Sequence, residues 1–83
     1  MKFNYDIELD LHGYTYDEAE KKLESIIYFE PAGTSIMVIH GVGGGILRTK
    51  VREYIQRNSM ISEYYFGEDL NIPGGFGVTI VYL

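Results

Sequence analysis

The sequence predicts an α/β fold, a two-layer βαβαββ sandwich in which a mixed four-stranded sheet carries two helices on one face. The spacing of apolar residues alternates between a period of two and a period of 3.6 along the chain, which separates strands from helices. Strand–helix–strand connections of this length favour parallel neighbouring strands with a right-handed crossover. The connection between the last two strands is short, which favours antiparallel pairing.

The first half of the chain gives one strand and one helix. Residues 5–12 alternate apolar and polar side chains, as a half-buried strand does. Thr15 and Glu18 have the spacing of a capping box and predict the start of a helix, which Pro31 and Gly33 end. Its core stripe is spaced i, i+4, i+7, i+8 and consists of Ala19, Leu23, Ile26 and Ile27.

The second half repeats this order and adds two strands. Residues 35–40 are nearly all apolar, which is typical of a central strand. A glycine run at 41–45 leads into a second helix, which ends at residues 58–59. The core stripe of this helix is Leu47, Val51, Tyr54 and Ile55. Two further strands are expected at about 61–66 and 76–83, joined by a loop.

Length and composition indicate the class of protein. With 83 residues we expect one domain covering 1–83, either a monomer or a weak dimer. The chain has no cysteine, which excludes disulfide scaffolds and thiolate nucleophiles. The longest apolar stretch is 36–39, and no signal region follows Met1. We therefore expect a cytoplasmic protein without a membrane partner.

The charge is unevenly distributed. The formal net charge is −5, which disfavours nucleic acid as a partner. Residues 31–60, however, carry four basic side chains and one acidic one. A local basic patch on an acidic body is therefore compatible with the sequence.

The two histidines of the chain end its first two predicted strands. His12 and His40 are each followed directly by glycine. If these strands are parallel, both imidazoles lie at the carboxyl edge of the sheet, where open α/β folds place their ligands. Asp10 precedes His12 by two residues and shares its face of the strand. The alternative is that both histidines only cap strands.

The glycine run precedes a helix N-terminus, where free amides and the helix dipole attract anions. Arg48 falls in the first turn of that helix, where acidic side chains are preferred, and a bound phosphate would remove this conflict. The alternative is a flexible loop beside a solvent-facing arginine. A second glycine cluster, Gly74, Gly75 and Gly77, precedes the last strand and is by itself a weak signal.

Three segments together resemble the small MutS-related (Smr) domain family. They are residues 9–13 (LDLHG), residues 39–48 (IHGVGGGILR) and residues 74–79 (GGFGVT), and they occur in the family's order along the whole chain. One position departs from the family pattern, because Val42 stands where lysine is often found.

The resemblance implies a fold similar to the C-terminal domain of bacterial translation initiation factor three. It also implies endonuclease activity on nucleic acid, either DNA nicking or mRNA cleavage on stalled ribosomes. The family's functional positions correspond here to Asp10, His12, His40, the glycine loop with Arg48, and Gly75 with Gly77.

The first functional hypothesis is a phosphodiester endonuclease. His12 and His40 would act as general base and acid, and Asp10 would orient or raise the basicity of a histidine. DNA or RNA would be held by a phosphate-binding set consisting of Gly41, Gly43, Gly44, Gly45, Arg48, Lys50, Arg52, Gly75 and Gly77. We expect no cofactor. A divalent metal on Asp10, His12 and His40 is the less favoured version, because no further ligand is evident.

Two alternatives remain open. The domain could bind nucleic acid, a ribosome or a parent MutS-like protein without catalysis, as the acidic net charge and Val42 suggest. It could also be a self-association unit that uses the uncovered sheet face.

Overall fold

The computed structural model of the chain describes residues 5–83. Within these residues the strands are β1 (Ile7–Asp10), β2 (Ser35–Ile39), β3 (Glu63–Phe66) and β4 (Val78–Tyr82). The helices are α1 (Tyr16–Phe29), α2 (Ile46–Arg57) and the short α3 (Gly67–Leu70). None of the helices in this part of the chain is long and apolar enough to cross a membrane.

The strands form one mixed sheet in the order β1-β2-β4-β3. β1 and β2 are parallel, whereas β4 is antiparallel to both of its neighbours. The predicted mixed four-stranded sheet is thus confirmed. β4 inserts between β2 and β3, so β1, β2 and β3 all run in one direction.

This topology collects several segments at one end of the sheet. The segments that follow β1, β2 and β3 lie there together with the segment that precedes β4. We call this end the carboxyl edge; it comprises residues 11–13, 40–45 and 67–77. The N-terminus of α2 also begins there, directly after residue 45.

Both long helices pack on one face of the sheet, as predicted. Their buried side chains meet a row of strand residues, and the resulting core consists of Leu9, Leu11, Ala19, Leu23, Ile27, Ile36, Val38, Val51, Ile55 and Val81. The capping box of α1 is present, with Thr15 Oγ1 accepting from the Glu18 amide and Glu18 Oε1 accepting from the Thr15 amide. On the other face Ile72 packs against Val78 and Ile80.

The segment between β3 and β4 differs from the predicted loop. It contains α3 and a 3-10 turn at Gly75–Gly77, and β4 begins at Val78 rather than near residue 76. A Cβ on Gly67 would overlap the Gly75 carbonyl oxygen and lie 2.9 Å from that of Val78. The chain folds back on itself so tightly that only glycine fits at position 67, which no local pattern indicated.

Candidate functional site

At the carboxyl edge, β1 presents a carboxylate–histidine pair. Asp10 Oδ1 lies 2.8 Å from His12 Nδ1 and 3.0 Å from the His12 amide nitrogen. The pair is open to solvent, since the side chains of His12 and Asp10 are 79% and 50% exposed. The two side chains meet, as their spacing of two residues predicted.

This contact selects one tautomer of His12. A carboxylate only accepts hydrogen bonds, so the ring donates from Nδ1 and the lone pair of Nε2 points away from Asp10. The two hydrogen bonds from His12, first from its amide and then from its ring, lower the pKa of the Asp10 carboxyl. The result is an exposed imidazole nitrogen backed by a carboxylate, which is the arrangement of a general base.

His40 occupies the corresponding position after β2 but lies inside the protein. It is only 4% exposed. Its Nδ1 is 3.0 Å from the Gly41 carbonyl oxygen, and its Nε2 is 2.9 Å from Thr79 Oγ1. Both ring nitrogens are therefore engaged by the protein itself.

The partners of His40 assign its tautomer and its preferred charge. Nδ1 donates to the Gly41 carbonyl, because a carbonyl only accepts. Thr79 Oγ1 accepts a hydrogen bond from Arg52 Nε at 2.9 Å, which leaves its own proton free to be donated to His40 Nε2. Burial, followed by the nearby charges of Arg52 and Arg48, lowers the pKa of His40. His40, which the sequence predicted to be the general acid, is thus a buried neutral ring with no free nitrogen.

Arg52 extends this network to α3. Its guanidinium binds both carboxylate oxygens of Glu68, at 2.8 and 2.7 Å, and donates to the Val78 carbonyl at 3.0 Å. It also lies 4.1 Å from the Phe66 ring centroid. This pairing lowers the pKa of Glu68 to about 2.

Arg52 was assigned to phosphate binding from the sequence, but in the structure its charge and donors are used internally. Glu68, its partner, was not predicted. The two residues are 16 positions apart on different helices, so no local pattern links them.

The glycine loop lies directly against the turn that precedes β4. The Gly77 carbonyl accepts from the amides of both His40 and Gly41, at 3.0 Å each. A Cβ on Gly77 would lie 3.2 Å from Gly41 Cα, so its lack of a side chain permits this approach. The structure therefore places Gly77 beside the loop as a packing residue, with Gly75 two positions earlier in the same turn.

The start of α2 leaves donors available at this edge. Gly45 is the N-cap, with a φ of 86° in the left-handed region, and it provides no side-chain cap. Among the described residues, α2 has no acidic side chain in its first turn. A groove of about 470 Å³ runs along this helix end and is lined by Gly44, Gly45, Ile46, Arg48, Thr49, Lys50 and Glu53.

Unlike Arg52, Arg48 and Lys50 have side chains that a ligand can reach. Arg48 is partly exposed, and its Nη2 lies 3.8 Å from the position that a Cβ on Gly45 would occupy. Lys50 is exposed, with Nζ 5.4 Å from the Tyr16 ring centroid. These two cations flank the groove, whereas Gly43 and Gly44 form the exposed part of the loop.

A metal centre is not assembled by these side chains. Within residues 5–83, no three His, Cys, Asp or Glu side chains are grouped closely enough to hold a metal ion, and Asp10, His12 and His40 are included in that range. His40 has no nitrogen free to act as a ligand. The residues present do not fit the two-histidine, one-carboxylate site.

Comparison with known proteins identifies relatives of the whole domain. Proteins named "Endonuclease MutS2" match with 36% identity over 98% of this chain (Geobacillus sp., strain WCH70) and with 40% identity over 92% (Lactobacillus johnsonii). The chain spans about a tenth of the length of these relatives, as each alignment covers 10% of the relative.

A solved structure and a family model also match this chain. The crystal structure of the Smr domain of Thermus thermophilus MutS2 superposes with a TM-score of 0.68 and 30% identity, covering 92% of this chain and 95% of that one. The family model described as "Smr domain" matches residues 9–83. The chain belongs to the Smr domain family.

Proposed function

We propose that this Smr domain is a nucleic-acid endonuclease in which Asp10 and His12 form the general base. The observation that carries the proposal is the 2.8 Å contact that fixes the His12 tautomer and leaves Nε2 exposed at the carboxyl edge. The endonuclease relatives support the reaction class.

In the proposed reaction His12 Nε2 removes a proton from the attacking oxygen. This oxygen belongs to water, or to the 2′-hydroxyl when the substrate is RNA. It forms a bond to phosphorus while the bond to the leaving oxygen breaks, and the leaving oxygen takes its proton from solvent. The carboxylate of Asp10 stabilises the imidazolium that forms.

The phosphate would be held by the glycine loop and α2. Free amides and the positive end of the helix dipole favour an anion at the Gly45 end of the helix. Arg48 and Lys50 add mobile positive charge beside the groove. Donors that face the developing negative charge on phosphate lower the barrier most.

His40 has a positioning role in this proposal, in place of the general-acid role expected from the sequence. Through Gly41 and Thr79 it joins the base of the glycine loop to β4. The bidentate pair of Arg52 with Glu68 holds the same strand to α2 and α3. These contacts fix the loop on which phosphate binding would depend.

The direct test is cleavage of labelled single-stranded RNA and of supercoiled plasmid by the wild-type protein and His12→Ala, each with and without a chelator. We expect the substitution to lower cleavage about 10²- to 10⁴-fold, the usual contribution of a general base. Glu30→Gln, on a solvent-exposed carboxylate after α1, is purified in parallel as a control and should retain activity. Equal cleavage by wild type and His12→Ala would defeat the assignment.

A second candidate is a binding module without catalysis. The net charge of −5 and the neutral Val42 in the glycine loop favour it. In that case the protein binds nucleic acid through Arg48 and Lys50 and leaves the substrate intact. Turnover that disappears in His12→Ala would rule it out.

A further inference from the structure

An aromatic side chain at the carboxyl edge is largely exposed to solvent. Phe76 is 59% exposed, although it belongs to the 3-10 turn that packs on the glycine loop. Its backbone is fixed, because the Gly77 amide donates to the Gly74 carbonyl at 2.8 Å and the Gly77 carbonyl accepts from two amides of the loop. The protein thus holds an aromatic ring in solvent on a constrained turn.

Phe76 lines a groove of about 400 Å³ beside the proposed phosphate site. The other lining residues are Arg48, Thr49, Arg52, Glu53, Gln56 and Glu68. Arg48, Thr49 and Glu53 also line the groove at the N-terminus of α2, so the two grooves share a wall. A ligand that reached both would place an anionic group at the helix end and a flat apolar group at Phe76.

The polar groups of this second groove suit a base better than a phosphate. Glu68 and Arg52 neutralise each other through their bidentate pair. Glu53 and Gln56 are exposed and can accept hydrogen bonds from the amino groups on base edges. Arg48 and Glu53 line both grooves, and the one cation that the second groove adds, Arg52, is already paired with Glu68, so this groove offers no additional free charge to hold a second phosphate.

We propose that Phe76 is a stacking platform for one unpaired base of a single-stranded nucleic acid whose phosphate occupies the groove at α2. This inference rests on the proposed function and deepens it, because it selects single-stranded over duplex substrates. In a duplex the base is already stacked and paired, and extruding it costs a few kcal/mol. Exposed aromatic rings recognise unpaired bases of any sequence.

The chain offers a direct spectroscopic probe, because it contains no tryptophan. In Phe76→Trp the single indole should stack on the base, and its fluorescence should be quenched when an oligonucleotide is added. Phe29→Trp is the matched control, since Phe29 is 79% exposed at the end of α1, away from the carboxyl edge. Its emission should not change.

Affinity is measured by fluorescence anisotropy in the His12→Ala background, so that the probe stays intact. The probes are a labelled single strand, its duplex, and the same strand with abasic sites. Phe76→Ala should weaken single-strand binding about 5- to 150-fold, the range for loss of one base–aromatic stack. It should leave binding of the abasic strand unchanged, and Phe29→Ala should bind all probes as the parent does.

The outcomes separate this inference from the proposed function. Cleavage by wild type, together with unchanged single-strand affinity in Phe76→Ala, overturns the stacking site and leaves the nuclease. Phe76-dependent binding without any cleavage supports the stacking site and overturns the nuclease. Preference for the duplex, or an equal loss of affinity on the abasic strand, contradicts base stacking and indicates another occupant, such as an apolar protein surface.

Discussion

His12 and His40 follow neighbouring parallel strands and have the same sequence context, yet they have different chemistry. The ring of His12 has one internal partner and a free Nε2, whereas His40 has two internal partners and is buried. The difference arises from β4, which supplies Thr79 on one side of β2 only. A histidine at a strand end therefore becomes reactive or structural according to its neighbouring strand.

Arg48 and Arg52 show the same contrast four residues apart on α2. We expect Arg52→Ala to lower the free energy of unfolding by about 3 kcal/mol, because Glu68 and Thr79 lose charged donors in a largely buried setting. Arg48→Ala should change stability by less than about 0.5 kcal/mol, because Arg48 is partly exposed and lies outside the Arg52–Glu68 pair. Urea unfolding followed by circular dichroism measures both.

Arg48→Ala should affect nucleic-acid binding more than it affects stability. Arg48→Ala should weaken nucleic-acid binding and reduce the slope of log affinity against log salt by about one. If Arg48→Ala destabilised the protein as much as Arg52→Ala, the division of roles between the two arginines would be wrong.

At the scale of elements, the segment from α3 to the 3-10 turn determines the shape of the carboxyl edge. It supplies Glu68 to the Arg52 pair, Gly77 to the glycine loop and Ile72 to the second face of the sheet. The segment that the sequence predicted as a loop is thus ordered and packs on the sheet. It is held there by residues that are distant from it in sequence.

Gly67→Ala tests how tightly this segment is closed. Because the added methyl group would overlap backbone atoms of Gly75 and Val78, neither of which can rotate away, we expect a loss of at least about 2 kcal/mol in unfolding free energy. Gly44→Ala is the control, since nothing lies within 4 Å of its Cβ position and its φ is not in the left-handed region. Equal stability of both variants would mean that the segment accommodates the added methyl group without a loss of stability.

For the whole molecule, the buried network makes stability depend on pH. The pKa of His40 is lower in the folded protein than its ordinary value of 6.5, so the unfolded chain binds a proton first as the pH falls. Stability is therefore complete above about pH 6.5 and decreases below it. Glu68 acts in the same direction at lower pH, because its pKa is about 2 when folded against 4.5 otherwise.

Urea unfolding between pH 3 and pH 8 should show these two stages in order. The stage that begins near pH 6.5 should be absent in His40→Gln, which has no titrating ring, while the acid stage remains. Constant stability of the wild-type protein from pH 7.5 to pH 5 would contradict the neutral, buried state of His40.

Acidic and basic side chains are unevenly distributed over the whole molecule. Eight acidic side chains lie in residues 1–30, whereas Arg48 and Lys50 lie on α2 beside the carboxyl edge. If the proposed site binds an anionic substrate, the attraction by Arg48 and Lys50 acts locally, because it is screened over about 10 Å at 0.1 M salt.

The sequence by itself determined the features that depend on local spacing. The change of periodicity located the four strands and both long helices, Thr15 and Glu18 located the start of α1, and the spacing of Asp10 and His12 brought their side chains together. The three motifs predicted the Smr family, which is confirmed.

Only the tertiary structure decided which of the predicted site residues face solvent. Thr79 is 39 residues from His40, and Glu68 is 16 residues from Arg52, so both contacts depend on the insertion of β4 between β2 and β3. The exposure of Phe76 likewise depends on the turn packed against the glycine loop. Burial and hydrogen-bond partners are set by distant segments that meet in space, and local sequence patterns report only on neighbours along the chain.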